Sequence, residues 1–325
     1  VQNAGGKKRA SVASLSLSRC TFSPAGGVWI ALYRPKAVKW RGGSGGLMPP
    51  PGAALPPGVA CWAGCPSKVG KEQAALLDRA TGAGGPLRAG AEGSPSALQV
   101  VFHDVEVLTE KLRPVVEEMQ KLFSAGAGTY YSDPIFFLSV AMHRVMPREI
   151  SRIIQVDLDV EYRANIRELF EEFDNFPEGA VIGIAREMQP VYRGGGTHLG
   201  WGFKTKGKLV TPQPLVGGAF NSGVLLLNLE AMRHSDLYNG LLEAAAVRRL
   251  AEKFHFRGHL GDQDFFTLAG MEHPELFHTL DCTWNRQLCT WWRDHGYSEV
   301  FDQYYRCDGH VKIYHGNCNT PIPQE

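Results

Sequence analysis

Ile153-Ile154-Gln155-Val156-Asp157-Leu158-Asp159-Val160 decides how this 325-residue chain is read. Its apolar, β-branched start is the pattern of a buried strand, and its acidic end marks where the strand leaves the core. Residues two apart in a strand share a face, so Asp157 and Asp159 are expected to emerge together, with Leu158 pointing the opposite way. Two such carboxylates suit a hard divalent cation. They leave coordination positions open for water and phosphate oxygens, as Mg²⁺ or Mn²⁺ requires when it holds a diphosphate. An isolated D-x-D can equally end a strand and cap a helix, so other segments must decide.

Three segments do. Phe220-Asn221-Ser222-Gly223-Val224-Leu225-Leu226-Leu227-Asn228-Leu229 is a polar turn feeding a continuous apolar run, which predicts a buried strand with Asn221 and Ser222 at its mouth. In His259-Leu260-Gly261-Asp262-Gln263-Asp264-Phe265-Phe266, Asp262 is placed to cap a helix while Gln263 projects into a cleft. Val311-Lys312-Ile313-Tyr314-His315-Gly316-Asn317 predicts a short strand ending in a histidine that can complete the metal shell of Asp157 and Asp159, with Gly316 allowing close backbone approach to a phosphate.

In this order the motifs D-x-D, F-N-S-G-V-x-L-x-N, G-D-Q-D and H-G resemble the retaining nucleotide-sugar glycosyltransferases of family 8. Within it, Cys282-Thr283-Trp284-Asn285-Arg286-Gln287-Leu288-Cys289-Thr290-Trp291-Trp292 and His315 through Pro321 look like the xyloside α-1,3-xylosyltransferases. The resemblance covers roughly residues 98–192 and 217–325. It implies an α/β, A-type fold with a mostly parallel central sheet and transfer of xylose from UDP-xylose to xylosyl-glucose on epidermal-growth-factor-like repeats of Notch-type proteins. It further implies Mn²⁺ or Mg²⁺ on Asp157, Asp159 and His315, a catalytic role for Gln263, donor contacts from Asn221, Ser222, Asp262, Gly316 and Asn317, and acceptor contacts from Trp291 and Trp292. A homodimer is left open. Two departures stand out. Leu138 occupies the position of an arginine that relatives place near the donor sugar, and Asn317 and Asn319 stand where many relatives carry a lysine.

The near-neutral total charge conceals two unlike parts. Residues 1–95 hold 17 of the 37 glycines, 10 of the 20 prolines, 12 basic residues and 3 acidic ones, whereas the remainder carries 22 basic and 30 acidic residues. So little apolar side chain in the first part cannot offset the entropy of ordering, and disorder is expected there. Its Lys and Arg are scattered, so nucleic acid is not an expected partner. Catalytic-domain sequence is expected over 96–325, with 193–216 a flexible insertion. Relatives carry an N-terminal membrane helix facing the endoplasmic reticulum lumen, as single-pass type II proteins. Residues 1–95 show neither that anchor nor a counterpart of the strand and helix that form the family's uridine pocket; only a strand over 97–102 and a helix from Val105 to Phe123 represent that half. The chain therefore reads as a truncated product with negligible transfer and weak UDP binding.

Seven cysteines divide as Cys20, Cys61 and Cys65 in the first part and Cys282, Cys289, Cys307 and Cys318 near the end. The last four allow three pairings, and their spacings of 7, 18 and 11 suit disulfides of a lumenal protein better than a zinc cluster. We favour Cys282 with Cys307 and Cys289 with Cys318. Two other classes of function stay open: a metal-dependent phosphohydrolase using Asp157, Asp159, Asp262, Asp264, His259 and His315, and a non-catalytic protein that keeps only the acceptor surface.

Overall fold

The computed structural model describes residues 103, 105–124, 130–195, 198–200, 218–256 and 258–323, together with 30–33 and 61–63; for 30–33, 61–63, 130, 193–195 and 198–200 the description is of backbone alone. In chain order the strands are β1 (Ile30–Tyr33), β2 (Cys61–Ala63), β3 (Arg152–Asp157), β4 (Val160–Tyr162), β5 (Ile182–Arg186), β6 (Arg193–Gly195), β7 (His198–Gly200), β8 (Phe220–Asn228), β9 (Phe277–Leu280), β10 (Arg286–Gln287) and β11 (Ile313–His315). The main sheet has the order β2-β1-β3-β8-β5-β9. Its pairings are parallel except where β8 meets β3 and β5, so five strands run one way and β8 alone runs against them.

The continuous apolar runs are explained by a core on each face of this sheet. Ile153, Ile182, Ile184, Leu225 and Leu227 join one cluster, with Leu112, Met119 and Phe123 of the helix Val105–Phe123 and with Phe265 and Phe266 of the helix Asp262–Glu272. Ile154, Val156, Val224 and Leu226 turn to the opposite face, against Ile166, Leu169, Phe173 and Trp284. Successive residues alternate faces, and both faces are dry. Each such aliphatic side chain contributes about 1.5–3 kcal/mol relative to exposure, which makes β3 and β8 the rigid centre of the site described below.

Several expectations change in detail. The three- and four-residue spacing of Ile135, Leu138, Met142 and Val145 predicts a helix; the stretch instead forms two 3₁₀ segments, Pro134–Phe137 and Ser139–Arg144. Asp159 is not a strand residue: β3 ends at Asp157, and a turn carries the chain through Asp159 to β4. The carboxylates converge because this turn folds back, not because they share a strand face. Asp262 is the first residue of its helix and Gly261, at φ +72°, is the capping residue, a conformation that disfavours any side chain. Within residues 1–95, where no strand was anticipated, β1 pairs with β3 and β2 extends the sheet. The rest of that segment, with its expected disorder, and the strand expected over 97–102 lie outside the described residues. Part of the anticipated insertion forms the antiparallel β6–β7 pair, and 201–217 again lie outside. No described helix is long and apolar enough to cross a membrane.

Candidate active site

Because β8 runs antiparallel, its first residues lie beside the last residues of β3 and β5, with Val224 opposite Val156 and Asn221 opposite Ala185. The register of β5 against β8 shifts between Ile184 and Ala185, a bulge that re-aims the residues following it. Ligands of open α/β sheets bind at this carboxyl edge. A second sheet, β10-β11-β4, brings His315 there: β11 runs antiparallel to β4 with His315 opposite Val160, and the Gly316 N–H donates to the Asp159 carbonyl at 2.7 Å.

Asp157, Asp159 and His315 each offer an atom within 4.8 Å of the others. His315 Nε2 lies 3.6 Å from Asp157 Oδ2 and 3.4 Å from Asp159 Oδ1, and the histidine side chain is 4% exposed against 38% and 46% for the two acids. The ring is held from behind, its Nδ1 2.9 Å from Asn285 Oδ1. Glycine at 223 is what makes room for it, since a Cβ there would fall 2.2 Å from His315 Cε1. The donor set therefore fits a hard divalent cation, with Nε2 and two partly exposed carboxylates converging and the other ring nitrogen already bonded.

The electrostatics follow from this crowding. Burial alone would lower the His315 pKa, but the Asp159 bond and the charges of Asp159, Asp157 and Glu187 outweigh it and raise it. At Asp157 the surrounding protein raises the carboxyl pKa against the pull of His315, with Asp159 and Asp262 adding to the rise. At Asp159 burial works upward too, yet the His315 hydrogen bond and charge hold the carboxyl below its ordinary value.

Behind the acids sits a buried polar layer. Asp262 accepts from Ser139 Oγ at 2.5 Å and from Ser222 Oγ at 2.9 Å, and burial pushes its carboxyl up to about 6 despite those bonds. Asn221 donates to Glu187 Oε2 at 3.0 Å while its Oδ1 accepts from Gly223 N and Asn285 Nδ2. Gln263 donates to the same Glu187 oxygen at 3.0 Å and more distantly to Tyr192 Oη at 3.4 Å. Tyr192 in turn donates to Asp264, which also accepts from Leu260 N.

The predicted residues are thus brought together, with refinements. Asn317 Oδ1 accepts from Leu288 N and Cys289 N, so it clamps the neighbouring loop. Leu138 is fully buried. Trp291 and Trp292 lie at a helical turn; Trp292 packs with Val191, Tyr192 and Phe301, whereas Trp291 is 46% exposed and stacks on His295 at 3.9 Å. The bridges are Cys282–Cys307 and Cys289–Cys318. Asp262 and Asp264 do not join the acid cluster, and among the described residues it is the one group suited to a metal, which removes the geometric support for a two-metal hydrolase. The sequence reading missed Glu187, Asn285, Tyr192 and the purpose of Gly223. Only Gly223 carries a local signal, a glycine inside a strand pattern.

No family model matches the chain. It is 72% identical over 230 residues to Xyloside xylosyltransferase 1 of Mus musculus, covering 70% of this chain and 58% of that protein. To the Homo sapiens protein of the same name it is 69% identical over 234 residues, again covering 70% of this chain and 58% of the relative. The chain thus spans somewhat over half the length of these relatives. The crystal structure of mouse Xyloside xylosyltransferase 1 in its apo form matches with a TM-score of 0.66 at 61% identity, over 82% of this chain and 86% of the other. On this agreement of sequence, fold and site, the chain belongs to the xyloside xylosyltransferase family and has an A-type glycosyltransferase fold.

Proposed function

We propose that this chain carries the catalytic site of a retaining xylosyltransferase that moves xylose from UDP-xylose, in α-1,3 linkage, onto xylosyl-glucose borne by epidermal-growth-factor-like repeats of Notch-type proteins in the endoplasmic reticulum lumen. The observation that carries the reading is the convergence of Asp157, Asp159 and His315 beside the Asn221–Asp262–Gln263 layer at the carboxyl edge of the sheet. Those three residues would hold Mn²⁺ or Mg²⁺, which when bound neutralises charge on the diphosphate. In the transfer, the bond between the xylose anomeric carbon and the β-phosphate oxygen breaks, the acceptor hydroxyl oxygen bonds to that carbon on the same face, and its proton passes to the departing phosphate oxygen. Gln263 directs its carbonyl oxygen at the positive charge that develops on the sugar, a fixed dipole in a site with little water. Asp262 and Asn221 hold the xylose hydroxyls, and Ser222, Gly316 and Asn317 shape the donor wall. Trp291 supplies an exposed aromatic face for the acceptor, while buried Trp292 supports it. Both disulfides suit an oxidising compartment.

The test is incubation of UDP-xylose, Mn²⁺ and a xylosyl-glucose-bearing repeat with the chain, and with a chimera carrying the N-terminal region of the mouse relative. Addition of one pentose in α-1,3 linkage by either supports the reading. Metal and acceptor binding without transfer by either would favour a non-catalytic role, and transfer of a different sugar would overturn the donor assignment.

A further inference from the structure

We propose that Glu187 and Asn285 are positioning residues: together with Asn221 they form one directional chain of hydrogen bonds from His315 to Gln263 that sets which face of the Gln263 amide meets the substrate. The proposal rests on the role given to Gln263 above, but its geometry does not. The links are His315 Nδ1 to Asn285 Oδ1 at 2.9 Å, Asn285 Nδ2 to Asn221 Oδ1 at 2.9 Å, Asn221 Nδ2 to Glu187 Oε2 at 3.0 Å and Gln263 Nε2 to that same oxygen at 3.0 Å.

The direction of every link is dictated by chemistry. Burial raises the Glu187 carboxyl pKa against the bonds from Asn221, Gln189 N and Gln263 and the charge of His315; in its ionised form it only accepts, so Asn221 and Gln263 both turn their NH₂ groups to it. Asn221 is then left with Oδ1 toward β8, where it accepts from Gly223 N at 3.1 Å as well as from Asn285. Asn285 accordingly turns its own oxygen to the histidine, whose Nδ1 carries a proton; Nε2, which donates to Asp159 in the metal-free chain, can then give its lone pair to a cation that displaces its proton. At the other end, the Gln263 NH₂ is committed, and Oε1, which accepts a long bond from Ser222 N at 3.4 Å, keeps its second lone pair for the substrate. Reversing any amide would set two donors or two acceptors face to face in a buried site.

The scaffold holds Glu187 with unusual care. Its backbone N–H donates to the Ala219 carbonyl, and Gln287, fully buried on β10, grips both sides of it by donating to the Arg186 carbonyl and accepting from Met188 N. Its second oxygen accepts from Gln189 N at 2.9 Å. Asn285 is likewise fully buried. Neither residue reaches the acid cluster as a ligand; both act through other side chains.

The decisive variants are Glu187→Gln, Asn285→Asp and Gln263→Ala in the full chain, read first by the side-chain amide signals of ¹⁵N-glutamine-labelled, metal-free protein. Asn285→Asp keeps an acceptor for His315 Nδ1 and removes the donor to Asn221. It should leave Mn²⁺ affinity within about threefold of the parent yet shift the Gln263 NH₂ signals, although Asn285 and Gln263 do not touch. Glu187→Gln should shift the same signals and speed their exchange with solvent. In turnover, Glu187→Gln should lower kcat on the order of tenfold with donor KM within about threefold, and should add no further loss once Gln263 is alanine. Unmoved Gln263 signals in both variants would overturn the proposal, as would independent, multiplying losses of kcat. If neither the parent nor the chimera transfers xylose, the functional reading fails, and the amide signals still decide for or against the hydrogen-bond chain.

Discussion

The two ends of the site solve opposite problems. At the acid end, Asp157 and Asp159 keep 38% and 46% of their side-chain surface exposed, with only the edge of a histidine between them. At the amide end, Asn221, Gln263, Asn285 and Glu187 are all buried and bonded to one another. Partly exposed carboxylates stay within reach of an ion that arrives with its ligand, and His315 holds the Asp159 carboxyl below its ordinary value. A buried polar group left unmatched costs about 1–3 kcal/mol, so the amide layer must be complete before any ligand binds. The lesson is that the acid end is a place to bind and the amide end a place to aim. Damage at the two ends should therefore be distinguishable.

The largest effect on this contrast is expected from Gly223→Ala, which sits where the two ends meet. The new methyl would overlap the His315 ring and force it off Asn285, so Mn²⁺ affinity, followed by electron paramagnetic resonance, should fall on the order of 100-fold. Thermal unfolding should show about 1–3 kcal/mol lost to overpacking.

Removal of the Cys289–Cys318 bridge by paired serines comes next. The bridge and Asn317 fasten the loop after β10 to the strand end carrying His315, and its loss should cost about 2–4 kcal/mol of stability by denaturant titration. Equal stability of the serine pair would show that Asn317 alone holds the loop.

A comparable but pH-confined effect is expected at His143. Burial pushes the His143 imidazole down to about 4 from 6.5, with the Asn239 hydrogen bond opposing. The folded form then binds fewer protons than the unfolded chain between these values, so the group's contribution is whole above pH 6.5 and is lost as pH falls toward 4. Between pH 7 and pH 4 the parent should lose about 3 kcal/mol more stability than His143→Gln. Parallel pH profiles for the two proteins would refute this.

The smallest effect on the fold should come from Trp291→Ala. An exposed side chain outside both cores should change stability by less than about 0.5 kcal/mol while raising acceptor KM by roughly tenfold, as an aromatic contact does. Unchanged KM would remove Trp291 from the acceptor surface.

How much of this was legible in the sequence differs between the two ends in the same way. Asp157, Asp159 and His315 announce themselves because acids and a histidine at strand ends have few structural uses, and the apolar runs of β3 and β8 could only be strands buried on both faces. Even there, the turn through Asp159 was misread as strand, since a period-two rule cannot see a chain that folds back after Asp157. Glu187 and Asn285 were invisible: each matters through a partner 34 or 64 residues away from it in sequence, at Asn221. Hydrogen bonds at such separations leave no local period or spacing to read. The β1 and β2 strands were missed for a related reason, being four and three residues long in glycine- and proline-rich surroundings and defined by pairing, β1 with distant β3 and β2 with β1.

The central claim is that the acid end binds a divalent cation as a ligand set. It is tested most directly by titrating Mn²⁺ into the parent chain and into Asp157→Asn and Asp159→Asn, with bound metal followed by electron paramagnetic resonance. One site is expected in the parent and a loss on the order of 100-fold in affinity for each variant, with unfolding temperatures near that of the parent, because each removes a negative ligand but no core contact. Mn²⁺ binding to either variant as tightly as to the parent would contradict it.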